Sequence, residues 1–113
     1  MARQEQNDLL QGTLDMLVLK TLQLGAMHGW GITELLETGS GQVLQIGQGS
    51  LYPALYRLER RRLISSAWKT TENNRRARYY SLTAAGRKQL MAERIQWRRM
   101  ADAVDMVLSM EPT

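Results

Sequence analysis

The stretch Gly47–Leu63, "GQGSLYPALYRLERRRL", sets Leu51, Leu55 and Leu58 at helical spacing around a proline and ends in a cluster of arginines. The spacing predicts a helix with one apolar stripe turned to a core. Its other side then carries Gln48, Ser50, Tyr52, Pro53, Tyr56 and Arg57, with Arg60, Arg61 and Arg62 at its end. Hydrogen-bonding groups and arginines opposite a leucine stripe describe a helix that touches a partner. Pro53 has two placements. If Ser50 caps the helix, Pro53 lies in the first turn, where its missing N–H has no partner to lose. If the helix begins nearer Gly47, Pro53 is interior and bends it.

Upstream, Leu9–Leu24 "LLQGTLDMLVLKTLQL" places Leu10, Leu14, Leu17, Thr21 and Leu24 on one stripe, with Met16, Leu19 and Gln23 widening it. That arc is broader than one core contact needs. Gly25 can end this helix, "GAMHGWG" reads as a glycine-rich connection, and a short helix follows over about Ile32–Glu37 with Ile32, Leu35 and Leu36 inward. Downstream the period changes to two. "ISSAWKT" and "ARYYSLT" alternate on either side of "TENNRR", whose asparagines tolerate positive φ, so the three stretches predict a β-hairpin. Thr83 is an N-cap candidate for a last helix over Ala84–Met110, in which Leu90, Trp97 and Val104 recur every seven residues, as do Met100 and Val107. So long a seam on so small a chain predicts a partner helix to cover it. Met1–Asp8 and Glu111–Thr113 read as frayed ends.

A length of 113 residues fits one modest core, and 43% hydrophobic with 23% charged residues is the balance of a folded chain rather than a disordered one. The chain has no cysteine and no long apolar run, and "MARQEQND" has no apolar signal core, so a cytoplasmic protein without disulfides, membrane contact or thiolate metal site is expected. Charge is segregated. Between Arg57 and Lys88 ten Lys/Arg face two Asp/Glu, a net +8 within a chain whose total is +4, so the rest is net −4. A basic block of this kind is the footprint of a polyanion partner.

Three helices, a hairpin and a long helix make a mainly α fold with a small β-hairpin. The order is that of a winged helix-turn-helix domain, here residues 9–83, followed by a C-terminal dimerisation helix, 84–110. In such a domain the third helix enters the major groove of double-stranded DNA and the hairpin, or wing, reaches the backbone or minor groove. The basic block falls on those two elements. The expected DNA-binding residues are therefore Gln48, Gly49, Ser50, Tyr52, Pro53 and Arg57 on the helix, and Lys69, Asn74, Arg75, Arg76 and Arg78 on the wing. Gln48 and Ser50 can bond base edges or phosphates, and the arginines suit phosphates or a narrow minor groove. The expected dimer face on the last helix comprises Leu90, Trp97, Met100, Val104 and Val107.

The same residues carry a family resemblance. "GTLDMLVLKTL" looks like the first helix of the PadR family of bacterial transcriptional regulators, and "HGWGI" like its His-Gly-Tyr loop. "GSLYPALYRLERRRLI" is similar to its recognition-helix signature, and "RARYYSLTAAGRKQL" to its wing strand and last-helix entry. The resemblance implies a homodimeric winged-helix repressor whose first and last helices pair the subunits. That pairing adds Met16 and Leu19 to the expected dimer face. Since some members of the family release DNA when a phenolic acid or planar drug binds near it, Trp97 and Met100 are the residues expected to stack a small aromatic effector. Three positions depart from the pattern: Trp30 stands for tyrosine, Arg62 for a glycine after Arg-Leu-Glu, and Asn73-Asn74 where a wing glycine is common. A left-handed helix end at Arg62 would cost arginine about 1 kcal/mol.

Two other classes compete. An enzyme would need a nucleophile–base pair, a phosphate-cradling loop or a metal cluster, and the lone histidine, His28, sits in a glycine-rich loop without them, so neither catalysis, metal nor cofactor is expected. A protein-interaction module built on a winged helix that does not bind DNA could use the first and last helices equally well, but has no need of arginines at a wing tip.

Overall fold

The computed structural model describes the backbone of residues 2–112 and the side chains of residues 12–112. The side chains of Met1–Asp8, and of Leu9 and Leu10 in the first stripe, lie outside the described residues, as does Thr113. The order is α1 (Ala2–Leu24), β1 (Met27–His28), α2 (Gly29–Gly39), α3 (Gln48–Arg60), β2 (Ile64–Thr70), β3 (Arg76–Leu82) and α4 (Ala84–Leu108). This is the mainly helical winged-helix architecture the sequence predicts.

The breadth of the apolar arc of α1 has a structural cause: the helix is central, packed against α2, α3, α4 and β3. Leu14, Met16, Val18, Leu19 and Leu22 are all buried, and Thr21 among them satisfies its hydroxyl by donating to the Val18 carbonyl at 2.7 Å. This corrects part of the expected dimer face. Met16, Leu19 and, on α4, Leu90 are closed inside the chain's own core, so they are not free to meet a second subunit. Leu24, expected on the inward stripe, is exposed at the helix end.

α2 is longer at both ends than Ile32–Glu37, because His28 caps it: the imidazole Nδ1 accepts from the Gly31 N–H at 3.0 Å. The residues read as a connection also form β1, which pairs with β3 through Met27↔Tyr80 and His28↔Tyr79, giving a three-stranded sheet of order β1-β3-β2. A two-residue strand has too few residues to show a period.

α3 begins at Gln48 with Gly47 at the N-cap, so Pro53 is interior. The proline removes the N–H that would reach the Gly49 carbonyl, and exposed Gly49 leaves that carbonyl to water. Leu51, Ala54, Leu55 and Leu58 are buried on the opposite side. The helix ends in a Schellman motif, in which the Arg62 N–H donates to the Glu59 carbonyl at 2.9 Å and the Leu63 N–H to that of Leu58 at 3.0 Å. The motif places Arg62 at φ 60°, where its Cβ is strained. Arg62→Gly is therefore expected to raise stability by about 1 kcal/mol. A thermal melt at fixed protein concentration that is unchanged or lowered would contradict this.

The hairpin has the expected strands, in register from Ile64↔Leu82 to Thr70↔Arg76. Its loop closes through Asn74 N–H to the Thr71 carbonyl at 3.0 Å and Arg75 N–H to the Thr71 hydroxyl at 3.2 Å, with Asn74 at φ 58° in the glycine's usual place. Thr83 caps α4, accepting from the Gly86 N–H at 3.0 Å. The first turns of α4 reach the core through Gly86 and Leu90, and the rest runs outward with Trp97, Met100, Val104 and Val107 exposed.

Candidate nucleic-acid interface

The leucines of α3 fix which way the other side of the helix looks. Because Leu51, Leu55 and Leu58 are buried, Gln48, Gly49, Tyr52, Pro53 and Tyr56 are left exposed on one surface, with Ser50 half-buried at its edge. Tyr52 is further constrained. A Cβ on Gly29 would lie 2.8 Å from the Tyr52 hydroxyl, so only glycine at the start of α2 leaves that phenol its place. Tyr56 carries Arg60, whose guanidinium lies 5.8 Å from the ring centroid.

The wing flanks this surface. On the strand face continuous with buried Ile64 and Tyr80, the register brings Trp68 opposite Arg78. Trp68 is exposed and receives two guanidiniums, Arg76 at 5.7 Å and Arg78 at 6.0 Å from its centroid. On the other face Lys69 lies 5.7 Å over the Tyr79 ring, which itself meets the His28 ring edge-on at 5.2 Å. Two open clefts run between α3 and the wing. One is lined by His28, Trp30, Tyr52, Trp68, Arg75 and Arg76 among others, and the second by Tyr52, Tyr56, Glu59, Arg60, Arg78 and Tyr80. Glu59 is the one carboxylate in either lining. Burial raises the Tyr80 phenol above its ordinary value, opposed by the Arg78 guanidinium and reinforced by Glu59 and Tyr52, so its hydroxyl keeps its proton and can donate.

Of the expected DNA-binding residues, Tyr52, Arg75, Arg76 and Arg78 thus line one cleft, Lys69 stands on the wing's opposite face, and Arg57 is drawn elsewhere. Arg57 turns away from the surface to Asp15 of α1, its Nη2 2.8 Å from Oδ1 and its Nε 3.5 Å from Oδ2. Its partner is only 12% exposed, so Arg57 serves a charge inside the fold. Arg78 also has a partner, Glu59. Arg75 and Arg76 have no carboxylate at ion-pair distance among the described residues. Sequence reasoning missed Trp30, exposed at the start of α2, and the Trp68 platform. Trp68 was legible in principle, since the hairpin register alone sets it across from Arg78.

Residues 18–92 match the family described as "Transcriptional regulator PadR-like family". The chain belongs to the PadR-like family. A PadR family transcriptional regulator from Eggerthella lenta superposes with a TM-score of 0.80 at 28% identity, over 97% of this chain and 94% of that one. A transcriptional regulator from Clostridium thermocellum gives 0.80 at 25% identity, over 88% and 96%. In sequence, an uncharacterised 37.1 kDa protein in a Streptomyces fradiae transposon is 39% identical over 89 residues, which span 79% of this chain but 24% of that protein. PadR-like proteins are transcriptional regulators, not enzymes, and this chain is a member of that class. Among the described residues no helix is long and apolar enough to cross a membrane, and no three acidic or histidine side chains form a group that could hold a metal.

Proposed function

We propose that this PadR-like regulator is a homodimeric repressor that reads double-stranded DNA through α3 and the wing. One observation carries the reading: Tyr52 of α3 and the wing's Arg75 and Arg76 line one cleft, and among the described residues these two arginines have no carboxylate at ion-pair distance. Charges left unpaired beside a helix of major-groove dimensions fit phosphates better than any other common partner. Gln48, Ser50 and Tyr52 would meet base edges and the adjoining backbone. Lys69, Arg75 and Arg76 would hold the flanking phosphates, and Asn74 would shape the wing tip between them. The exposed seam of Trp97, Met100, Val104 and Val107 supports pairing of two α4 helices, since it extends beyond the buried Leu90 and stays uncovered among the described residues. A planar aromatic effector would find Trp97 and Met100 on that same seam.

Selection of bound duplexes from a random pool tests the reading. The expected product is a pseudo-palindrome with half-sites about one helical turn apart. No enrichment, and no affinity for any duplex at low salt, would overturn it. On the selected duplex, Arg75→Ala with Arg76→Ala should weaken binding to all sequences alike and flatten the log–log salt dependence by about two. Tyr52→Ala should instead cost about 1–3 kcal/mol against the selected duplex with little change in slope. Equal losses of thermal stability would make these residues structural instead.

A further inference from the structure

Glu59 is anomalous on a surface shaped for a polyanion. It stands on α3, lines the cleft between helix and wing, and would repel a phosphate placed there. Its environment resolves the anomaly. The Ser66 hydroxyl on β2 donates to Glu59 Oε2 at 2.6 Å, and the same hydroxyl accepts from Arg78 Nε on β3 at 2.8 Å. Arg78 Nη2 reaches Glu59 Oε2 at 3.5 Å, while its guanidinium lies 6.0 Å from the Trp68 ring centroid. One serine oxygen thus uses both its donor and an acceptor position to join an acid on α3 to a base on the far strand. A lone exposed ion pair at 3.5 Å would hold little. A hydroxyl-bridged triad spanning three elements, with the arginine also against an indole, fixes two long side chains by several contacts at once.

We propose that Glu59 is a specificity-determining residue. Through Ser66 it holds Arg78 back from the phosphates and sets the wing's angle to the recognition helix. The wing's arginines then divide by role. Arg75 and Arg76 are free to meet DNA of any sequence, whereas Arg78 is already neutralised and acts as a strut. Specificity is a difference of affinities, and it rises when backbone attraction common to every duplex is withheld. The inference rests on the DNA-binding reading above.

The test uses the full chain, the duplex selected from the pool, and a scrambled duplex of equal length, each titrated across a range of salt. Glu59→Gln keeps the acceptor for Ser66 but removes the charge. It should tighten binding to the scrambled duplex more than to the selected one, lower the ratio of the two affinities by about tenfold, and steepen the salt slope by about one. Arg78→Ala alone should leave the slope of the native protein unchanged, yet remove the added slope in the Glu59→Gln background. Ser66→Ala, which cuts the bridge without touching either charge, should move ratio and slope the same way by a smaller amount, and it carries the test should Glu59→Gln fold poorly. A slope that falls by about one in Arg78→Ala alone would show that Arg78 already meets a phosphate, and would overturn the assignment. So would an unchanged ratio and slope in both Glu59→Gln and Ser66→Ala. Failure of the native protein to bind any duplex would instead bring down the DNA-binding reading itself.

Discussion

Gly86→Ala should destabilise the protein by about 3 kcal/mol or more, enough to remove much of the stability of a small domain. Two effects oppose each other at this position. Alanine is the better helix former by up to about 1 kcal/mol, and Gly86 lies in α4. Against that, a Cβ here would overlap the Leu63 carbonyl oxygen and sit 2.6 Å from Leu82 Cδ1. The Leu82 side chain could turn aside. The Leu63 carbonyl cannot, because it accepts from the Thr83 N–H at 3.1 Å and the Thr83 hydroxyl at 2.9 Å, the contacts that fix the start of α4. Backbone overlap therefore outweighs propensity. Gly39→Ala is the control: it too is helical, nothing lies within 4 Å of an added Cβ, and it should be neutral or mildly stabilising. Both are read by thermal or urea melts at one protein concentration, since any dimer makes stability concentration-dependent. Equal melting of the Gly86 and Gly39 variants would show that α4 can shift off Leu63.

The same junction shows what a sequence can and cannot disclose. Thr83 was readable as a cap because the cap is local, three residues from its partner N–H. Leu51, Leu55 and Leu58 were readable because a helix turns burial into a period, and the hairpin because alternation and an asparagine turn agree on it. The close approach of Gly86 to Leu63 leaves no such mark, and neither does the capture of Arg57 by Asp15, whose partners lie 42 residues apart. Apolar periodicity reports that a side chain leaves water, but not against what. Met16, Leu19 and Leu90 therefore looked as available for a second subunit as Trp97 and Val104, until the three-dimensional packing placed the first three inside one chain. The proposed DNA surface was legible as a set, since helix face and basic block coincide. Which of its arginines are free was not, because an ion pair between distant elements follows no spacing rule.

Arg57→Met should cost about 2 kcal/mol of stability, and the double variant Asp15→Leu with Arg57→Met should recover most of it. Removing one partner of a buried pair leaves the other charge unpaired, which typically costs about 3–5 kcal/mol. Here the arginine end is 33% exposed, so water reaches part of the pair and the cost falls below that range. Replacing both by apolar groups removes the stranded charge, and such exchanges are often close to neutral. The double-mutant cycle should thus show a coupling of about 1–2 kcal/mol between α1 and α3. Additive single effects would mean that the pair does not hold the two helices. The cycle also decides what Arg57 does toward DNA. If its work is to anchor the recognition helix, the refolded double variant should bind the selected duplex with an unchanged salt slope. A slope flattened by about one in that well-folded protein would restore Arg57 as a phosphate ligand. The distinction is physical: a strut can be replaced by any packing that keeps α3 in place, whereas a phosphate contact needs the charge itself.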